Sequence, residues 1–164
     1  MANVCLIDTS VLLNILDVPN RNQDRAAVMA EFASYIEGNY RFIIPFVVAV
    51  EVGSHISQNG DGRLRRAAAS RFVKMMQDSL TGRSPFLLSE FDLKSEWGFW
   101  LGEFIEKAGQ NKTPDKPNEG MSLTDLSIIK EFVDLQAKNQ ANRRQHVKVI
   151  IWSHDSDLKA YGDI

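Results

Sequence analysis

Short apolar, β-prone runs alternate with long segments of helical period in this chain of 164 residues, and that alternation most narrows its fold. Residues 3–7 form such a run, closed by Asp8. Phe42-Ile43-Ile44, residues 85–88 and residues 146–152 repeat it. Helical spacing fills the intervals at 11–16, 24–37, 63–80, 94–108 and 122–141, with Ala26, Met29, Ala33 and Ile36 spaced as a helical stripe in the second of these. Residues 46–57 are rich in β-branched side chains and fit a strand or a helix; the helix is the better fit. Asn59-Gly60-Asp61-Gly62 is a turn. Strands alternating with helices predict an α/β fold: a three-layer α/β/α sandwich with a mostly parallel central sheet. One domain over 1–164 is expected, with a polar loop insertion at 109–121 interrupted by Pro114 and Pro117.

Composition is that of an ordinary globular protein, with 44% hydrophobic and 24% charged residues. The formal net charge of -2 gives no global attraction to nucleic acid, so any such binding needs local basic patches or cations at an acidic site. Cys5 is the only cysteine and sits in an apolar run, which suits a buried small hydrophobe. The N-terminus carries no basic and apolar leader pattern, and no stretch approaches the about 20 apolar residues of a membrane span. A cytoplasmic protein is the expectation.

Ligands of open parallel sheets bind beyond the carboxyl ends of the strands. Asp8 follows the first apolar run, and Ser153-His154-Asp155-Ser156-Asp157-Leu158 follows the last. Parallel strands would bring these acids to one edge. Glu51 interrupts the apolar Val50-Glu51-Val52, and Asp125 stands in Ser122-Leu123-Thr124-Asp125 at a helix start. Each has a plain structural alternative. Asp8 and Asp155 suit helix caps, Ser122 with Asp125 fits a capping box, and Glu51 and Asp157 suit a solvated surface. As a cluster, however, carboxylates within ~4–6 Å repel unless a cation joins them. A hard divalent ion with oxygen ligands, magnesium or manganese, resolves that conflict.

In order and spacing, Ile7-Asp8-Thr9-Ser10, Glu51, Thr124-Asp125 and the 153–158 segment resemble the PIN domain family, over nearly the whole chain. The nearest flavour is that of the VapC-like toxins of bacterial toxin–antitoxin pairs. Relative to those small toxins, 97–120 looks like added material. The resemblance implies cleavage of single-stranded RNA with Mg²⁺ or Mn²⁺. It implies catalytic acids at Asp8, Glu51, Asp125 and Asp155, and metal ligation by these with Asp157. Ser10 and Ser153 would orient the ligands. For the toxin members it implies an antitoxin protein and a second copy of the chain as partners.

Other features weigh less. Arg63, Arg65, Arg66, Arg71 and Lys74 share one helix, and Arg143, Arg144 and Lys148 form a second basic group. Arg63, Arg66, Arg143 and Arg144 are the candidates for RNA phosphates, against the commoner solvated face. Trp97, Trp100, Leu101, Phe104 and Ile105 form an apolar stripe suited to a core or a partner surface. His55, His146 and His154 show no metal spacing with cysteine, and His154 is the one placed to touch a substrate. No P-loop and no G-x-S-x-G pattern occurs. Two further classes compete: a non-catalytic PIN-like module that binds RNA or protein, and a magnesium phosphatase of the haloacid-dehalogenase kind. The latter uses a second aspartate two places after the first, where this chain has Ser10.

Overall fold

The structure, a computed structural model, describes residues 2–90, 93–114, 116–141 and 147–162. Its four strands are β1 (Asn3–Ile7), β2 (Tyr40–Ile44), β3 (Phe86–Leu88) and β4 (Val149–Trp152). All pair in parallel, in the order β3-β2-β1-β4. The helices are α1 (Thr9–Ile15), α2 (Arg25–Glu37), α3 (Phe46–Ser57), α4 (Gly62–Leu80), α5 (Gly98–Gly109), α6 (Leu123–Ala141) and α7 (Ser156–Gly162). A π-helical turn over Leu93–Trp97 leads into α5. The predicted parallel α/β sandwich is the observed fold, and 46–57 is the helix α3. No helix among the described residues is long and apolar enough to cross a membrane.

Strand register decides which side chains meet. Cys5 pairs with Phe42 and Ile150, and Ile7 pairs with Trp152. In a parallel sheet such neighbours point to the same face. Phe42, Phe86 and Trp152 therefore gather on the face covered by α2, whose Phe32 sits with ring centroids 5.0, 5.6 and 6.2 Å from theirs. These contacts set the rotation of α2. Val28 is its fully buried residue, with Phe32 and Tyr35 packed on the core. The stripe of Ala26, Met29, Ala33 and Ile36 instead faces outward, with Ile36 47% exposed. The aromatic stack outweighs the smaller side chains of that stripe, because rings bury the larger area.

Two arginines close the C-terminal end of α1. Arg25 donates to the carbonyls of Asn14 and Ile15, and Arg71 to those of Leu16 and Asp17. Arg65 donates to the Asn59 carbonyl, and Lys74 pairs with Asp78 at 2.8 Å. Much of the basic α4 group is thus engaged in the fold. On α5, Trp100 is buried, but Ile105 is 80% exposed and leaves the predicted stripe. Beyond the π-helical turn that leads into it, this helix packs on α6. Cys5 is fully buried, and burial pushes its thiol well above the usual range.

On the opposite face of the sheet, α6 carries the buried Glu131, whose one described partner is the Ser89 hydroxyl at 3.3 Å. Burial raises its carboxyl from 4.5 to about 7; the Ser89 bond opposes this, and Glu96 and Asp134 add to it. A raised carboxyl pKa favours folding below its unfolded value, and that contribution is lost as pH climbs through the folded value. Glu131→Gln should therefore be more stable than the parent at pH 8, by about 3 kcal/mol, and no more stable at pH 4.5. Urea unfolding at the two pH values checks this, and an equal gain at both would contradict it.

Candidate active site

The strand order reverses direction at β1, with β2 on one side and β4 on the other. That switch point is where parallel sheets open a crevice at their carboxyl edge. Asp8 leaves β1 there and Ser153 leaves β4. Because Ile7 is in register with Trp152, the two following residues lie side by side. The Ser153 hydroxyl donates to Asp8 Oδ2 at 2.8 Å, and Ser10 donates to the same oxygen at 2.8 Å. Asp8 Oδ1 accepts the Thr9 amide at 2.6 Å, so Asp8 caps α1. Asp8 is only 6% exposed. Burial raises its pKa; the Ser10, Ser153 and Thr9 bonds pull it back, and the nearby Asp125 charge raises it further.

The other acids reach the same edge by three routes. Glu51, on α3, accepts the Thr9 hydroxyl at 2.6 Å. Asp155 and Asp157 straddle the start of α7, where Asp155 accepts the Asp157 amide at 3.1 Å and donates its own amide to Ser153 Oγ at 2.9 Å. Asp125 is in the first turn of α6, and its amide donates to the Ser122 hydroxyl at 3.0 Å. Half of the predicted capping box exists. The Asp125 carboxylate completes nothing at Ser122; it turns to Lys112 instead.

Lys112 and Lys116 are the residues that sequence reasoning missed. Lys112 Nζ lies 2.8 Å from Asp125, 3.5 Å from Asp155 and 3.2 Å from Asp157, and Lys116 Nζ lies 3.3 Å from Asp155 and 3.1 Å from Asp157. The 109–121 segment, expected as an exposed polar loop, thus sends its lysines inward, and the Lys112 side chain is only 10% exposed. Burial alone would lower its pKa, but Asp125, Asp157 and Asp155 together hold it above the usual range. Burial likewise pushes Asp157 upward, yet Lys116 and Lys112 leave it below the ordinary carboxyl value. The one available signal was position: both lysines occur in the polar loop directly before the helix that carries Asp125.

Other candidates go elsewhere. His154 Nε2 sits 3.1 Å from Glu31 on α2, whose Oε2 also accepts the Trp152 indole N–H at 2.5 Å. His154 therefore braces the α2 side. Arg63 and Arg66 are exposed at the start of α4 and form no ion pair with these acids among the described residues. Lys148 lies at the opposite strand end, where its carbonyl accepts the Val4 amide. Arg143, Arg144 and His146 lie outside the described residues.

The sequence model of the PIN domain family matches residues 5–163. The chain belongs to the PIN domain family. No curated protein matches it significantly. PIN domains are typically metal-dependent nucleases, and a function of the nuclease type follows for this chain. The donor chemistry suits such an ion: Asp125, Asp155 and Asp157 are hard oxygen donors already gathered around a positive charge, with Asp8 beside them. As spaced, no three acids among the described residues stand close enough to hold an ion. The Lys112 ammonium lies 2.8–3.5 Å from their oxygens, longer contacts than the 2.0–2.1 Å bonds of magnesium.

Ser153 has two tasks, donating to buried Asp8 and accepting the Asp155 amide. Ser153→Ala should lower stability at pH 7 by about 1–3 kcal/mol, the cost of leaving buried polar groups unpaired. Urea unfolding measures it, and Ser153→Thr should restore most of the loss. An unchanged midpoint for the alanine variant would contradict the assignment.

Proposed function

We propose that this PIN domain is a Mg²⁺- or Mn²⁺-dependent endoribonuclease that hydrolyses phosphodiester bonds of single-stranded RNA. The observation that carries the proposal is the convergence of Asp8, Asp125, Asp155 and Asp157 at the β1/β4 switch point, with Glu51 tied in through Thr9. Asp8, Asp125, Asp155 and Asp157 would hold a divalent cation, which would activate a water and offset charge on phosphate oxygens. Ser10 and Ser153 both donate to Asp8 Oδ2, which favours its charged form against burial and aims the carboxylate. Glu51 offers Oε1, the oxygen not bonded to Thr9, to take a proton from water.

A cavity of about 510 Å³ beside Glu51 supports a single-stranded substrate. Phe46, Val47, Val50 and Trp97 line it, together with Leu123 and Thr124. Unpaired bases bind such apolar and aromatic walls, whereas bases inside a duplex are hidden from them. Membership of the toxins of toxin–antitoxin pairs, with an antitoxin and a second copy of the chain as partners, belongs to the same proposal and rests on the order and spacing of the acids.

Purified protein should cut single-stranded RNA with Mg²⁺ or Mn²⁺ and not with EDTA. Asp8→Asn and Asp125→Asn should each slow cutting by more than the roughly 10–100-fold that loss of an outer-sphere partner costs, while remaining folded by circular dichroism. RNA retained without cutting would favour a binding module. Phosphate released only from a small ester would favour a phosphatase. Cutting that survives in EDTA or in Asp8→Asn would end the proposal.

A further inference from the structure

Several carboxylates drawn to one sheet edge must be neutralised, and here the chain does it with its own side chains. The loop joining α5 to α6 is fastened at two levels. The Met121 amide donates to the Lys107 carbonyl at 3.2 Å, and the Lys112 amide donates to the Glu119 carbonyl at 2.6 Å. Thr113 and Lys116 bridge within it. Gly120 passes so close to α5 that a Cβ there would stand 2.1 Å from the Ala108 carbonyl oxygen. From this frame Lys112 and Lys116 reach the carboxylates of Asp125, Asp155 and Asp157. A cavity of about 490 Å³ lies between the loop, α6 and α7, lined by Lys112, Lys116, Asp125 and Asp157 together with Pro114 and Met121.

The geometry points to the 110–122 loop as a lysine latch that closes the acidic site in the absence of a divalent cation and withdraws when one binds. Lys112 and the cation draw on the same carboxylates and repel one another, so each weakens the other's hold. Most of the described loop residues are exposed, so the loop can shift without breaking a packed core. The latch sets the cation concentration at which the site becomes competent. The inference rests on the reading that these acids take a divalent cation.

The test is direct Mn²⁺ binding by calorimetry to the full chain, with Asp125→Asn as the control for the site itself. Lys112→Met with Lys116→Met should bind Mn²⁺ at least tenfold more tightly than the parent. Gly120→Ala keeps both positive charges but forces the loop off α5, and it too should bind more tightly. In the parent, Mg²⁺ should speed amide exchange of the loop, at Lys112 and Met121 above all. If Asp125→Asn binds Mn²⁺ as the parent does, or the parent binds none, the cation reading fails and the latch with it. If Asp125→Asn alone loses binding while the lysine variants bind no more tightly, the latch fails and the cation reading stands. Tighter binding in the lysine variant, with Gly120→Ala unchanged although its loop exchanges faster, would reduce the lysines to background charge and overturn the latch. Should Gly120→Ala not fold, loop exchange in the parent decides: protection that Mg²⁺ leaves unaltered is the overturning result.

Discussion

Burial pushes a carboxylate toward its protonated form, and the hydrogen bonds to Asp8 oppose that push from both ends of the chain. Ser10 follows it by two residues; Ser153 arrives from 145 positions away, placed by the register of β1 against β4. The same Ser153 oxygen receives the Asp155 amide, so one hydroxyl joins the ends of both central strands to the start of α7. The aromatic stack of Phe32, Phe42, Phe86 and Trp152 holds β4 in that register from below. Packing on one face of the sheet thereby becomes precision at its edge.

Helix capping and site building turn out to be a single activity here. Asp8 caps α1, Asp155 accepts the Asp157 amide at the start of α7, and Ser122 accepts the amide of Asp125 in α6. A carboxylate has two oxygens and about four lone-pair positions, so a cap occupies only part of its capacity. The first-turn N–H groups of these helices also offset negative charge. The plain structural role of each acid and its place in the cluster are therefore compatible, and the fold uses the first to secure the second.

The architecture was readable because it rests on periodicity. Short apolar runs and long helical spacings identified all four strands, and the acids after the first and last of them pointed to a common edge. Three things escaped. The rotation of α2 depends on a stack whose rings come from four separate elements, which no window around Met29 or Ile36 contains. The buried Glu131 is an ordinary polar residue in a helical pattern until Ser89 and the sheet close over it. Lys112 and Lys116 sit in a segment with no period at all, among prolines and polar residues, where composition signals only solvent. Their role comes from a loop path set by contacts such as Gly120 on Ala108, and such contacts exist only in three dimensions.

Cys5 is the one cysteine of the chain, and it lies at the middle of the central strand β1 with a thiol kept firmly protonated by its surroundings. The thiolate is the reactive form, so this sulfur is screened twice, by access and by ionisation. To thiol-directed reagents the folded surface is accordingly blank. Alkylation at Cys5 becomes a clock for global opening of the sheet, silent to any motion confined to the rim.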